Sequence, residues 1–350
     1  MRKVLKIIIV NFLVFFFLFI LVEIIFGYWF KEYNFGHQMR GKRMQKIVFE
    51  HSDGSISNFY RDYYGFVEDR DFFEKYDASK IEVLFNGGST AEEMLLNYDE
   101  TIVGKINSYL KNDKINLKIY NAGVSGKSLR GKIREFSVWF KNIPNFKPKI
   151  IIYYLGINDR SIEEYRWHDF DIRLNFLNEI YWNISQKSFF YEKGKLIKLK
   201  YFPHAAYQNQ YNTSDEVLIK RLNNNEFISY DYAKNNYKIE NENESQVLQT
   251  FKVNLNKLKK ELINWNINPI FITQINYNIN GDKILYLLNE ETKKFAQENN
   301  YKVIKLDELV TDSLNNSFID GYHTNNKGSE EIAKILYNSL KEELKFYSYK

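Results

Sequence analysis

Residues Ile81–Glu93 read IEVLFNGGSTAEE. The apolar run Val83-Leu84-Phe85 stops at Asn86-Gly87-Gly88 and hands over, at Ser89, to a stretch with helical spacing from Ala91 to Leu110. This is a strand, a tight turn and a helix start. Adjacent glycines permit backbone angles closed to other residues, so the turn can be sharp enough to lift the Ser89 hydroxyl above a sheet edge. There the N–H groups of a helix N-terminus can stabilise a developing anion. An ordinary helix cap fits the same residues, since Ser89 or Thr90 followed by Glu92 or Glu93 is a capping pattern. The remainder of the chain decides between the two.

Downstream, short apolar runs alternate with stretches of helical period. The strands are expected at Val83-Phe85, Leu117-Tyr120, Lys149-Leu155, Pro269-Gln274 and Lys302-Leu306. The helices are expected at Ala91 to Leu110, Leu129 to Lys141, Val247 to Asn264, Lys283 to Asn299 and Lys327 to Leu344. Continuously apolar strands separated by helices imply an α/β fold with a parallel sheet covered on both faces. Ligands in such sheets sit at the carboxyl ends of the strands.

Three further signals fall at those ends. The second strand runs into Asn121-Ala-Gly-Val-Ser-Gly-Lys-Ser128, where glycines expose backbone N–H groups and Gly126 clears the approach; a plain strand-to-helix turn has the same look. The third strand ends in Gly156-Ile-Asn158-Asp159. Asn158 can aim an amide donor at charge developing above Ser89, or close the strand with an Asx turn. Ahead of the last helix stands Asp320-Gly-Tyr-His323. A serine needs a base to become a nucleophile, and of the five histidines His323 alone lies on a turn with a carboxylate three residues before it. Asp320 can hold its tautomer and stabilise the imidazolium. A capping aspartate beside a surface histidine is common; four such features at four strand ends are much less so.

Together these residues resemble the SGNH hydrolases, or GDSL-type esterases. The four blocks match Ser89 in Gly87-Gly-Ser-Thr, Gly126 in Asn121-Ala-Gly-Val-Ser-Gly, Asn158 in Gly156-Ile-Asn-Asp and His323 in Asp320-Gly-Tyr-His, over Ile81 to Leu344 apart from one insertion. The resemblance implies a flavodoxin-like three-layer α/β/α fold around a central parallel five-stranded sheet. It makes Ser89 the nucleophile, His323 the general base and Asp320 its orienter, with an oxyanion hole from the N–H groups of Ser89 and Gly126 and the Asn158 side chain. No metal or organic cofactor is implied. One departure is Gly88, where the commoner pattern has aspartate; the Gly-Gly-Ser-Thr variant resembles membrane-anchored, polysaccharide-associated members.

Upstream of the motif, Ile7 to Phe30 is almost wholly apolar, interrupted by Asn11 and Glu23 and preceded by Arg2, Lys3 and Lys6. About twenty apolar residues span a bilayer as a helix. With no small-x-small cleavage site following, residues 1–32 read as a signal anchor. Tight N-terminal positives place the body outside the cytoplasmic membrane, although Arg40, Lys42, Arg43 and Lys46 compete from the far side. Residues 33–80 read as a stalk and lead-in that packs on the domain edge, with no chemistry of its own. Residues 81–346 read as the hydrolase domain, with an insertion at 160–245. The insertion carries Trp167, His168, Trp182, Phe189, Phe190, Tyr191, Tyr201, Phe202 and His204, then an Asn-rich tract. Such excursions form lids or substrate platforms, or pack as a small cap. Lys193, Lys195, Lys198 and Lys200 among apolar residues suit either an anionic membrane surface or a solvated face.

Composition narrows the class. In 350 residues, 49 basic side chains against 44 acidic ones make a mixed surface, and no basic cluster interleaved with aromatics marks a nucleic-acid footprint. The absence of cysteine excludes a disulfide framework and a Cys nucleophile. The expectation is a single-pass serine esterase acting through an acyl-enzyme on O-acyl esters, O-acetyl foremost, of a cell-envelope glycan. Transfer to a glycan beside a membrane acyl-donor protein, a lysophospholipase or lipid esterase, and an inactive glycan-binding member are the rivals.

Overall fold

The computed structural model describes residues 2–30, 39, 43–51, 54–69, 73–162, 169–170, 175–202, 204–205, 226–275, 277–278, 283–310, 314, 317–319 and 322–348, with the backbone alone at 204, 205, 226, 227, 277, 278 and 348. In chain order the strands are β1 (Gln45–Glu50), β2 (Ile56–Arg61), β3 (Val67–Glu68), β4 (Val83–Gly87), β5 (Ile119–Asn121), β6 (Ile150–Tyr154), β7 (His204–Ala205), β8 (Glu226–Phe227), β9 (Asn268–Ile272), β10 (Tyr277–Asn278) and β11 (Lys302–Ile304). The helices are α1 (Arg2–Phe26), α2 (Ser89–Glu92), α3 (Ile102–Asn112), α4 (Leu129–Val138), α5 (Phe176–Lys187), α6 (Phe189–Tyr201), α7 (Tyr230–Asn236), α8 (Glu242–Trp265), α9 (Lys283–Glu298), α10 (Leu306–Leu309) and α11 (Asn326–Ser348).

The centre of the sheet is five parallel strands in the order β5-β4-β6-β9-β11. Numbered among themselves they run 2-1-3-4-5, the flavodoxin-like order. Period-two alternation gives the sheet two apolar faces. Leu84, Ile151, Tyr153 and Phe271 point to one side, where Phe136 of α4, Phe251 and Leu255 of α8 and Phe295 of α9 cover them. Val83, Phe85, Ile152 and Ile270 point to the other, beneath Ile106 of α3 and Leu336 and Leu340 of α11. The result is a three-layer α/β/α domain. The chain leaves β4 for β5 on one side and then crosses to β6 on the other, which opens a crevice beyond the carboxyl ends of β4 and β6.

Two segments depart from the sequence-based expectation. The stretch read as a stalk and lead-in supplies β1, β2 and β3, which join β5 through an antiparallel pair and continue the same sheet. The insertion adds β7 beyond β1 as a parallel neighbour. The helix expected over Ala91 to Leu110 is broken. It stops after Glu92, because Glu93 adopts a left-handed conformation at φ 48°, and restarts at α3, whose N-terminus Thr101 caps through Gly104 N at 3.1 Å. Buried contacts of the Glu93 carboxylate, described next, hold that costly backbone in place.

Candidate active site

Ser89 opens α2 immediately beyond β4. A Cβ built on Gly88 would stand 2.3 Å from the Asn158 amide nitrogen and 3.7 Å from the Lys127 carbonyl. The Asn158 amide itself donates to Lys127 O at 3.0 Å. A side chain at position 88 would therefore first meet the Asn158 amide, which would have to shift to admit it. The loop after β5 is drawn to the same point, since Val124 N donates to Gly87 O at 3.0 Å. Gly126 sits there at φ 74°, in the left-handed region that favours glycine. Asp159 accepts from Leu129 N at 2.9 Å, capping α4 and fastening the β6 loop to the β5 loop.

The two acids after Ser89 do not cap the short helix that holds them; both are buried, and each holds a different wall. Glu92 pairs with Arg61 of β2 at 2.6 Å, both side chains fully enclosed, while its other oxygen accepts from the amide and hydroxyl of Ser125. Arg61 also donates to Gly123 O at 2.6 Å, so this ion pair secures the β5 loop. Glu93 turns the opposite way. One oxygen accepts from Ile102 N at 2.7 Å; the other accepts from the hydroxyls of Thr324 at 2.8 Å and Ser329 at 2.6 Å. Burial pushes the Glu93 carboxyl up to about 7, against the lowering effect of those hydrogen bonds and of the nearby His323 charge.

Ser89 and His323 line one cleft, with Ser125, Met94, Leu95 and Leu96 among its walls. Met94 and Leu95 lean on Phe49, Phe59 and Val67, so β1–β3 back the apolar side of the cleft. His323 is half-exposed on a turn closed by Ile319 N donating to its carbonyl at 2.7 Å and by the Phe318–Thr324 bridge. Its neighbour Tyr322 receives Arg160 Nη1 at 2.8 Å from the start of the insertion. Asp320 lies outside the described residues, as do Trp167 and His168.

Of the four motif residues, Ser89 and His323 line the cleft and Asn158 stands against Gly88, while Arg61, Glu92 and Glu93 carry no site role in the sequence reading. Arg61 lies in the stretch read as a stalk. The adjacent acids matched a capping pattern, and only their burial shows otherwise.

No family model and no curated protein matches the sequence. Solved structures do show similarity. One is a psychrotrophic esterase, EstA, from Pseudoalteromonas sp., at 15% identity and TM-score 0.40, covering 75% of this chain and 98% of that one. Another is a lipase/acylhydrolase from Enterococcus faecalis, at 14% identity and TM-score 0.43, covering 75% and 96%. A third is the acetyl xylan esterase AlAXEase, at 15% identity and TM-score 0.41, covering 74% and 100%. These neighbours are ester hydrolases.

Proposed function

We propose that this chain is a membrane-anchored serine esterase of the SGNH type, acting on O-acyl groups, O-acetyl foremost, of a cell-envelope glycan. The observation that carries the reading is the cleft shared by Ser89 and His323, with the Asn158 amide pressed against Gly88 beside the nucleophile. In this mechanism Ser89 Oγ attacks the ester carbonyl while His323 takes its proton. The oxyanion is received by the N–H groups of Ser89 and Gly126 and by the Asn158 amide, one of whose two N–H donors engages Lys127 O. Collapse of the tetrahedral intermediate expels the alcohol, which takes the proton from His323. Water, or a second alcohol in the case of transfer to a glycan, then attacks the acyl-Ser89 ester and releases the serine. Asp320 is assigned the orienting role on motif position.

The anchor is α1, an apolar helix of 25 residues whose side chains are nearly all exposed, long enough to cross a bilayer. In this reading the catalytic domain stands outside the cytoplasmic membrane. The apolar wall of Met94, Leu95 and Leu96 favours a lipid ester as the second reading, because it offers an acyl chain a dry surface.

Burst kinetics on the detergent-solubilised chain test both. A Ser89-dependent burst with nitrophenyl acetate, accelerated by an added glycan acceptor, supports the short-acyl reading and favours transfer. Faster turnover of the octanoate ester moves the assignment to lipids. No burst, with Ser89 unlabelled by a fluorophosphonate, overturns the catalytic reading.

A further inference from the structure

Glu23 is an acid within an otherwise apolar helix, a placement expensive in lipid unless the charge is answered. The structure shows what answers it. Its carboxylate accepts from the Ser188 hydroxyl at 2.6 Å, from Phe189 N at 3.0 Å and Phe190 N at 3.1 Å, and from the Trp29 indole at 3.0 Å. Glu23 of α1 thus caps the N-terminus of α6 in the insertion. Tyr28 N donates to Lys187 O at 2.8 Å beside it, at the end of α5. Two aromatic pairs extend the contact: Phe26 with Phe189, ring centres 5.5 Å apart, and Phe19 stacked on Phe190 at 4.3 Å.

The second pair fixes a depth. Phe19 lies seven residues before the end of α1, which at 1.5 Å per residue is about 10 Å back into the apolar span. A hairpin touching α1 at that level cannot stand clear of a bilayer that α1 crosses. Its outer surface suits that position. On α5, Phe176, Leu177, Ile180, Tyr181 and Ile184 recur at helical spacing on one exposed face, while Trp182 and Ser185 are buried. On α6, Lys193, Lys198 and Lys200 are exposed. An apolar helix face with lysines nearby is the pattern of a helix lying about 5–10 Å deep at the boundary between headgroups and acyl chains.

We infer that the α5–α6 hairpin is an interfacial membrane element, seated in an anionic phospholipid bilayer alongside α1, which holds the catalytic domain at a fixed height. The Phe176–Ile184 face meets acyl chains and the α6 lysines meet headgroup phosphates. The domain side of the hairpin is tied as well: Lys195 donates to Arg43 O at 2.7 Å, and Arg43 donates to Tyr63 O at 2.8 Å. The inference rests on α1 being a membrane span, not on the esterase chemistry.

Because the chain has no cysteine, single cysteines can be introduced one at a time in the full-length protein. Ile180→Cys and Ile184→Cys report the hairpin, Phe16→Cys reports α1, and Lys257→Cys on α8 reports the solvent side. Each is labelled with an environment-sensitive fluorophore and reconstituted in vesicles of phosphatidylcholine and phosphatidylglycerol with nitroxide-bearing lipids. The expected result is several-fold quenching and a blue-shifted emission at 180, 184 and 16, with neither at 257. Quenching at 16 without quenching at 180 and 184 overturns the hairpin assignment while leaving the anchor intact. No quenching at 16 overturns the anchor, and the hairpin assignment with it. Turnover of nitrophenyl acetate by the same labelled samples reports separately on the chemistry.

Discussion

Glu92 and Glu93 are neighbours in sequence, both buried, and opposite in how they are satisfied. Glu92 is held as a charge, matched by Arg61 at 2.6 Å, and it secures the loop that carries Gly126. Glu93 is held mainly by hydroxyls and one backbone amide, and it secures the segment that carries His323. One wall of the cleft is thus fixed by an enclosed ion pair, the other by a carboxyl that burial pushes up to about 7. A buried carboxylate needs a cation or several good donors, and this site uses both solutions within two residues.

The largest effect is expected from breaking the ion pair. Arg61→Ala leaves Glu92 charged and enclosed without its cation, at a cost of about 3–5 kcal/mol. Denaturant unfolding of the purified chain should show that loss, whereas an unchanged midpoint would mean that solvent reaches Glu92 after all. Next comes the seat of Asn158 on the same wall. Gly88→Ala drives a methyl into the Asn158 amide and should lower kcat/KM on a short ester by about a hundredfold, the scale of one lost oxyanion donor. The same change made in an Asn158→Ala background should cost far less, and a double-mutant cycle with additive effects would show that Gly88 does not act through Asn158.

The smallest effect concerns the other wall. In the folded chain Glu93 binds its proton more tightly than an ordinary carboxyl, so the folded state holds more protons than the unfolded one between about pH 4.5 and 7. Stability should therefore fall as pH rises through that window. Glu93→Gln, which mimics the protonated acid, should flatten the fall by on the order of 1–2 kcal/mol. Asp62, pushed up to about 7 mainly by its own burial, contributes in the same direction and remains. Melting curves at several pH values check this; a slope unchanged in the variant would mean that Glu93 is ionised throughout.

Much of this arrangement is legible in the sequence, and the reasons are local. The five central strands are short and mostly apolar, and Ser89, Gly126 and Asn158 follow the ends of three of them. What escapes the sequence depends on contacts between distant residues. QKIVFE and ISNFYR are short, half-polar segments, and they become β1 and β2 through pairing with each other at the edge of a sheet formed elsewhere. The break after Glu92 has no glycine or proline to announce it, because Thr324 and Ser329 hold Glu93 there from more than two hundred residues away. Glu23 reads as a flaw in an apolar helix until Ser188 and the start of α6 are seen on it.

The strand β7 has a consequence for how copies of the molecule meet. At one margin the sheet ends in β11, three residues long and begun by Lys302; at the other it ends in β7, two residues long. Among the described residues, neither margin offers a second molecule a long run of backbone donors and acceptors. β7 covers Ile47 and Val48 in the middle of β1. Removing the insertion would uncover Ile47 and Val48 and leave β1 an open edge, a template for a foreign strand. A trimmed domain is expected to self-associate through that edge, seen as a concentration-dependent rise in mass by light scattering.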